Sequence, residues 1–272
     1  MKIYLIGSTG FIGSNLSNFY VSKNSVLLHY RQYDLTAMLE QFRPDLIINC
    51  ATEIYDPNTM YDVNVGLVKE CLTWLTRNRT VQFIQLGSSS EYGPVNRPTK
   101  ETDPVVAYTM YAGTKGAATL LCQSYAREYK LDVQIVRPYS PYGPGDRPYR
   151  LFPALWKAFN LNRAMKLSMG VHDFCYIDDF ISAIDCIVKA TGIRSSGEII
   201  NVSSGQQTTN LEVLDTFRNI TGIQGNVVID TMFTTPNIWS ADTSLIENKY
   251  GWKPKYTLTD GITKFLECAH YD

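Results

Sequence analysis

An α/β fold organised on a doubly wound parallel sheet is the class this sequence predicts, and three observations lead there. Apolar, β-branched runs recur at Lys2 to Ile6, Pro44 to Cys50, Val81 to Leu86 and Val133 to Val136, unbroken enough to be strands covered on both faces. Helical patterns separate them, so the connections are crossovers and the strands parallel. The first run leads directly into Gly7, Gly10 and Gly13, giving strand, glycine turn and helix in that order. Past about residue 145 the alternation weakens. A first domain is therefore expected over residues 1–145 and a smaller, interleaved second part over 146–272, with some of its segments returning to the first.

Each glycine of the turn has its own task. The first allows the tight turn, the second lets backbone approach a pyrophosphate, and the third permits close helix packing, with the helix N-terminus facing the phosphates. The reading is a dinucleotide cradle, against an ordinary glycine-rich βα turn, with contacts from Gly7, Thr9, Gly10, Phe11, Ile12 and Gly13. A second strand follows from Ser25 to Tyr30. A carboxylate about 20 residues past the glycines would accept the adenosine ribose hydroxyls of NAD. His29, Tyr30 and Arg31 stand there instead, and the first acid is Asp34. A cation such as Arg31 suits a 2′-phosphate, which favours NADP over NAD. Asp34 and Leu35, at the start of the next helix, and Ala51, at the end of the third strand, extend the expected cofactor contacts.

Ala51-Thr52-Glu53 lies at the carboxyl edge of the third strand, where open α/β sheets bind ligands. A helix from about Asn58 to Arg77 follows, and the next strand ends in Gly87-Ser-Ser-Ser-Glu-Tyr-Gly93. Its three hydroxyls are candidates to hold a carbonyl oxygen, or form a serine-rich turn. A long helix then carries Tyr111 and Lys115 to about Tyr129, with Ala117, Ala118, Leu121 and Tyr125 on its packing face. Val133 to Val136 feeds a rigid loop, Arg137-Pro-Tyr-Ser-Pro-Tyr-Gly-Pro-Gly145. The second half is expected to hold a helix near Phe152 to Phe159, strands near Lys166 and from Glu198 to Val202, and a helix from Leu258 to Cys268.

With 272 residues, 44% hydrophobic and 19% charged, the chain can bury a large core. Its 25 Lys and Arg against 26 Asp and Glu leave a net charge of −1, so no broad field would hold nucleic acid or an anionic membrane. Six cysteines at irregular spacings and three histidines form no zinc signature, and no metal is expected. No run approaches the roughly 20 apolar residues of a membrane span, and a cytoplasmic location is expected.

Tyr111 and Lys115 are the centre of the chemistry. Four residues apart on one helix, their side chains share a face at about 5–6 Å, close enough for the ammonium to favour tyrosinate. That makes the pair an acid/base device, although the spacing by itself is common on exposed helices.

Taken together, the motifs resemble the extended short-chain dehydrogenase/reductases that act on nucleotide sugars. The similarity rests on Gly7-Ser-Thr-Gly10-Phe-Ile-Gly13, Asn64-Val65, Gly87 to Gly93, Tyr111-xxx-Lys115, Arg137 to Gly145, Asp173-Phe-Cys-Tyr-Ile-Asp-Asp179 and Gly251-Trp-Lys-Pro254. It implies a Rossmann cofactor domain, a small C-terminal substrate-binding domain, and a homodimer through the Tyr/Lys helix and the helix near residues 58 to 77. It also implies roles. Tyr111 is the general acid/base, Lys115 holds the nicotinamide ribose and lowers the tyrosine pKa, and Ser88 bonds the reacting oxygen. Tyr139 joins the cofactor contacts, and Ser89, Ser90, Glu53, Ser140, Arg147, Arg150 and His172 the substrate contacts.

Departures from the family pattern narrow the reaction. The family's sugar 4,6-dehydratases carry an Asp-Glu pair after the catalytic hydroxyl, whereas only Glu91 follows Ser90 here. Its 3,5-epimerising members use a Cys at the place of Ser90 and a His near Arg150, and neither is present. Arginines that contact the sugar-nucleotide diphosphate elsewhere in the family are replaced at His172 and missing near Trp239. The chain looks most like the NADPH-dependent 4-keto-deoxysugar-nucleotide reductases, a group that includes CDP-paratose synthase. The expected reaction is hydride delivery from NADPH to a 4-keto carbon, with the proton from Tyr111. The alternatives are a 4-epimerase with tightly bound NAD and a non-catalytic cofactor-binding regulator.

Overall fold

The computed structural model of the chain describes residues 1–29, 32–190, 196–234 and 238–271. In order, its elements are β1 (Lys2–Ile6), α1 (Phe11–Val21), β2 (Ser25–His29), α2 (Leu35–Phe42), β3 (Leu46–Asn49), α3 (Pro57–Tyr61), a π-helical turn (Asp62–Gly66), α4 (Leu67–Leu75), β4 (Gln82–Leu86) and a 3₁₀ turn (Ser89–Tyr92). There follow α5 (Met110–Tyr129), β5 (Asp132–Pro138), β6 (Ser140–Tyr142), α6 (Leu151–Asn160), β7 (Met165–Met169), β8 (Val171–Tyr176) and α7 (Ile177–Lys189). The chain ends with β9 (Ser196–Val202), β10 (Gln207–Thr209), α8 (Asn210–Thr221), β11 (Val227–Thr234), α9 (Ser244–Tyr250) and α10 (Leu258–Cys268). Two units result: residues 1–93, 101–138 and 185–201 form one, and residues 94–100, 139–184 and 202–272 the other.

The first unit is built on a six-stranded sheet in the order β2-β1-β3-β4-β5-β9, parallel at each pairing from β2 to β5. All four residues of β3 are buried, as a parallel sheet covered on both faces requires. Strand order reverses between β1 and β3, and such a switch point puts a ligand crevice at the carboxyl ends of those strands. The glycine turn and the Ala51–Glu53 segment follow those two ends. One face of the sheet presents Tyr4, Ile47, Phe83 and Val133 to a core that includes Val68, Leu72 and Leu75 of α4 and Ala118, Cys122 and Ala126 of α5.

On α5, Ala118 is buried and Leu121 and Tyr125 pack half-buried against the core, as expected, with Ala117 half-buried; the buried stripe also takes in Ala112, Lys115, Gly116, Thr119, Cys122 and Ala126. Small residues hold the close contact: a Cβ on Gly116 would lie 2.5 Å from Val105 Cγ1. The helix expected from about Asn58 to Arg77 runs on through α3, the π turn and α4 with helical backbone at both junctions, and the π turn directs Asn64 inward to bond neighbouring segments.

The second unit has a three-stranded sheet, β10-β8-β6, and a parallel pair, β11-β7. Aromatic rings fill its core: Phe152 stacks on Tyr142 at 3.8 Å and meets Phe174 edge-on at 5.0 Å and Phe265 at 6.0 Å. The sequence reading places no element at α7, α8, α9, β10 or β11. α7 begins directly after β8 with no Gly or Pro between them to mark a boundary, although Phe180, Ala183, Ile184 and Ile187 are all buried.

Candidate active site

The glycine turn has the sterics of a phosphate cradle. Gly7 sits at φ +77°, and a Cβ there would lie 2.5 Å from the Ala51 nitrogen; one on Gly13 would lie 2.1 Å from the Gly7 carbonyl oxygen. Gly10 caps α1 without a side-chain bond, and the first turn holds no acidic residue, so its N–H groups and positive end face outward unanswered by a carboxylate. The Ser8 hydroxyl is buried and has no hydrogen-bond partner among the described residues. Thr9 and Gly10 are exposed, and Phe11 and Ile12 half-buried. These residues fit the pyrophosphate of a dinucleotide.

The rest of the expected cofactor set divides. Ala51 packs against Gly7, and its N–H donates to Asn49 Oδ1 at 3.0 Å. Asp34 is the N-cap of α2, accepting from the Ala37 N–H at 2.6 Å, and Leu35 is a buried core residue whose side chain has no surface to offer. Arg31 lies outside the described residues. His29, the last residue of β2, bonds the Tyr4 hydroxyl through Nδ1 at 2.8 Å, and burial lowers its pKa. Tyr139 belongs to the second unit, where its hydroxyl bonds Thr99 Oγ1. Its side chain is buried, with 9% exposed.

Ser88, Tyr111 and Lys115 are placed by three elements of the first unit. Thr109 caps α5 through the Ala112 N–H, one turn before Lys115 enters the interior at 2% exposure. The Lys115 ammonium donates to the carbonyl of Leu86, the last residue of β4, two before Ser88. The Ser88 hydroxyl lies 2.7 Å from that of Ser90 and accepts from the Ser90 N–H. Ser89 is buried and Ser90 half-buried. Tyr111 is half-buried, and its carbonyl accepts from Thr114 Oγ1 at 3.0 Å. Thr114 in turn receives Asn64 Nδ2, and Asn64 bonds both the N–H and the carbonyl of Glu53. This pins the loop after β3 to the Tyr/Lys helix. Glu53 Oε1 collects the N–H groups of Ile54, Tyr55 and Asp56, which hold its pKa low. That oxygen closes its own loop.

Sequence reasoning missed the parts that stiffen this cluster. Glu91 and Arg137 form a fully buried ion pair, Nη2 to Oε2 at 2.6 Å, with the guanidinium 4.3 Å from the Tyr92 ring centroid. Burial would lower the Arg137 pKa, but Glu91 and Tyr92 outweigh it and hold the pKa up. Glu91 also takes the Ser88 N–H at 2.8 Å and Thr119 Oγ1 at 2.7 Å, so one carboxylate joins the serine turn, α5 and β5. The available signal was a charged residue flanking each of two apolar strands, which also marks an ordinary strand end.

The second unit holds a cavity of about 390 Å³ whose lining includes Ser140, Asp146, Arg150, Lys166, His172 and Asn210. Ser140 Oγ lies 3.3 Å from His172 Nδ1, and burial, then the nearby Arg150 charge, push the His172 pKa down to about 4. Arg150 approaches Asp146 at 3.8 Å. Arg147 is outside the lining of this cavity, and its guanidinium bonds the Tyr149 hydroxyl at 2.8 Å on the surface. Among the described residues no cluster of His, Cys, Asp or Glu could hold a metal, and no helix is long and apolar enough to cross a membrane.

Comparison with known proteins adds to this geometry. The chain is 25% identical to the UDP-glucose 4-epimerase of Mycolicibacterium smegmatis over 98% of both chains. It is 22% identical to the dTDP-6-deoxy-L-talose 4-dehydrogenase (NAD(P)(+)) of Kitasatospora kifunensis over 96% of this chain and 93% of that one. The fold matches that of dTDP-glucose 4,6-dehydratase from Bacillus anthracis in complex with NAD, with a TM-score of 0.86 and 21% identity over 98% and 96% of the two chains. Residues 3–203 match a family described as the NAD dependent epimerase/dehydratase family, in keeping with the resemblance read from the motifs. With its glycine cradle and its buried lysine, the chain belongs to that family and is an enzyme of the oxidoreductase and epimerase type served by a nicotinamide dinucleotide.

Proposed function

We infer that the protein reduces the 4-keto carbon of a nucleotide-activated deoxysugar, with NADPH favoured over NADH. The observation that carries the reaction type is the state of Glu91. It is the only carboxylate in the serine turn, and its oxygens are bonded to Ser88, Thr119 and Arg137 in full burial. Elimination of water needs a carboxyl group free to exchange protons with the sugar, and Glu91 is not free. Oxidation and reduction at C4 need only a hydroxyl donor and a phenol.

Bound at the glycine turn, the dinucleotide supplies a hydride to C4. Tyr111 gives its proton to the oxygen that takes up the carbonyl electrons, leaving an alcohol on the sugar and a phenolate that solvent reprotonates. Lys115 stabilises that phenolate, and Ser88 donates to the same sugar oxygen. Arg150 and Lys166, lining the cavity of the second unit, are the proposed partners of the nucleotide's phosphates. Tyr61, Met110 and Leu120 are exposed on the helices proposed to form a homodimer.

The test is to offer purified protein NADPH and a panel of keto-deoxysugar nucleotides while following the nicotinamide absorbance. Stoichiometric oxidation is expected, and Tyr111→Phe should lower kcat by about 10²–10⁴-fold. A second reading, 4-epimerisation, is favoured by the likeness to the mycobacterial UDP-glucose 4-epimerase along both whole chains. Interconversion of 4-epimers with no added cofactor and no net NADPH consumption would replace the reductase by the epimerase. Full turnover by Tyr111→Phe would dismiss both.

A further inference from the structure

Two amides lie where a covered parallel sheet ordinarily carries hydrocarbon. On the face packed against α4 and α5, one row across the strands reads Tyr4, Ile47, Phe83 and Val133. The next row towards the carboxyl ends reads Ile6, Asn49, Gln85 and Ile135. Asn49 and Gln85 are 0% and 1% exposed. Buried amides are costly unless their donors and acceptors are met. The Ala51 N–H donates to Asn49 Oδ1 at 3.0 Å, Asn49 Nδ2 to Gln85 Oε1 at 2.9 Å, and Gln85 Nε2 to the Leu86 carbonyl at 2.8 Å. The chain of bonds starts at a backbone donor and ends at a backbone acceptor, so it fixes which end of each amide is nitrogen.

That acceptor is the Leu86 carbonyl, to which Lys115 also donates. A carbonyl oxygen has two lone pairs. With Gln85 on one, the buried ammonium is directed to the other, while the Gly87 N–H of the same peptide donates to the Val136 carbonyl at 2.7 Å and fixes its plane. Apolar side chains at 49 and 85 would continue the isoleucines on either side but leave that carbonyl to the ammonium alone.

We propose that Asn49 and Gln85 are positioning residues for Lys115, aiming its ammonium by occupying the other lone pair of the carbonyl that receives it. The pair touches neither substrate nor cofactor in this scheme, and its catalytic consequence rests on the roles given above to Tyr111 and Lys115. Loss of the Gln85 bond opens the second lone pair of the Leu86 carbonyl, on a peptide still held by its own N–H, so the ammonium swings between the two and the step it assists slows while substrate binding is unchanged.

The readout is made first on the protein without cofactor or substrate. With 15N at the lysine Nζ atoms, the Lys115 ammonium signal is identified by its loss in Lys115→Met, and its proton exchange with water is measured. Gln85→Met should raise that exchange by about fivefold, the worth of one hydrogen bond, without altering the other lysines. In turnover, kcat should fall by a similar factor at unchanged KM. Asn49→Ala, which leaves Gln85 in place but unaimed, should move both in the same direction by less, and it decides the matter if Gln85→Met does not fold. Unchanged exchange at Lys115 in a folded variant, or faster exchange with kcat unmoved, overturns the proposal. Turnover that survives in Tyr111→Phe would instead defeat the proposed function, and the exchange measurement alone would then decide whether the amide pair positions the lysine.

Discussion

Each unit of the molecule has a carboxylate buried to 0% exposure, Glu91 and Asp173, and the two are satisfied in opposite ways. Glu91 in the first unit meets a cation: Arg137 donates Nε at 3.1 Å and Nη2 at 2.6 Å, beside the Ser88 N–H and Thr119 Oγ1. Asp173 in the second unit meets neutral donors: Ser203 Oγ at 2.8 Å, the Ser204 N–H at 2.9 Å, Ser204 Oγ at 2.7 Å and the Ala241 N–H at 3.1 Å. Burial leaves Asp173 with a raised pKa despite those four bonds. The difference teaches what each is for. An ion pair is directional and intolerant of loss, which suits the serine turn and α5, whereas a carboxylate among hydroxyls and amides ties β8 to the segments at 203–204 and 241 and tolerates a change of charge.

The largest expected effect breaks the first half of that comparison. Glu91→Gln leaves the Arg137 guanidinium fully buried without an anion, and removal of one partner of a buried pair costs about 3–5 kcal/mol. Urea denaturation of the variant measures it. A loss below about 1 kcal/mol would mean that Tyr92, under the guanidinium, and its remaining neighbours suffice, and that the carboxylate matters only for placing Ser88.

How much of this was legible follows the same division. The glycine turn could be read because its constraint is steric and local: Gly7 and Gly13 have no room for a Cβ, and the sequence shows three glycines after a strand. α10 could be read, with the bounds Leu258 to Cys268, because its apolar period is regular and Thr257 and Asp260 form a capping box at its start. Glu91, Arg137, Asn49 and Gln85 could not. Each is a polar residue in or beside an apolar strand, and only the register of β3 against β4, or the fold of the serine turn onto β5, reveals its partner. In the second unit, β10 is three residues long, and Thr209, which ends it, also caps α8, so one residue closes one element and opens the next.

A smaller effect, confined to the second unit, sharpens the contrast through the residue next to Asp173. His172 has its pKa pushed from 6.5 to about 4, chiefly by burial and then by Arg150. The folded protein therefore binds this proton less readily than the unfolded chain. The stability His172 contributes is complete above about pH 6.5 and is lost as the pH falls to about 4, at most about 3 kcal/mol. Thermal unfolding of wild type and His172→Gln across that range checks it: the wild type should lose stability more steeply on acidification. Parallel curves would mean that the imidazole takes up its proton in the fold, beside Ser140 and the cavity, without penalty.

The smallest effect concerns Asp173 itself, and its sign with pH is the sharper part. Asp173→Asn turns one acceptor oxygen into a donor facing donors, a loss of about 1–3 kcal/mol, offset in part because the amide carries no charge to bury. At neutral pH the net cost should therefore fall well short of that for Glu91→Gln. With the folded pKa raised, the wild type takes up a proton at Asp173 before the unfolded chain does, so its ionisation cost is present in full above that raised value and is relieved as the pH falls through it. The variant has no such relief, and the stability gap between wild type and Asp173→Asn should widen on acidification. His172 is common to both proteins and cancels from the difference. A gap that narrows instead would show that the two serines and two backbone amides stabilise the ionised carboxylate more than burial opposes it, which would erase the distinction from Glu91 and make both carboxylates anions held by their donors.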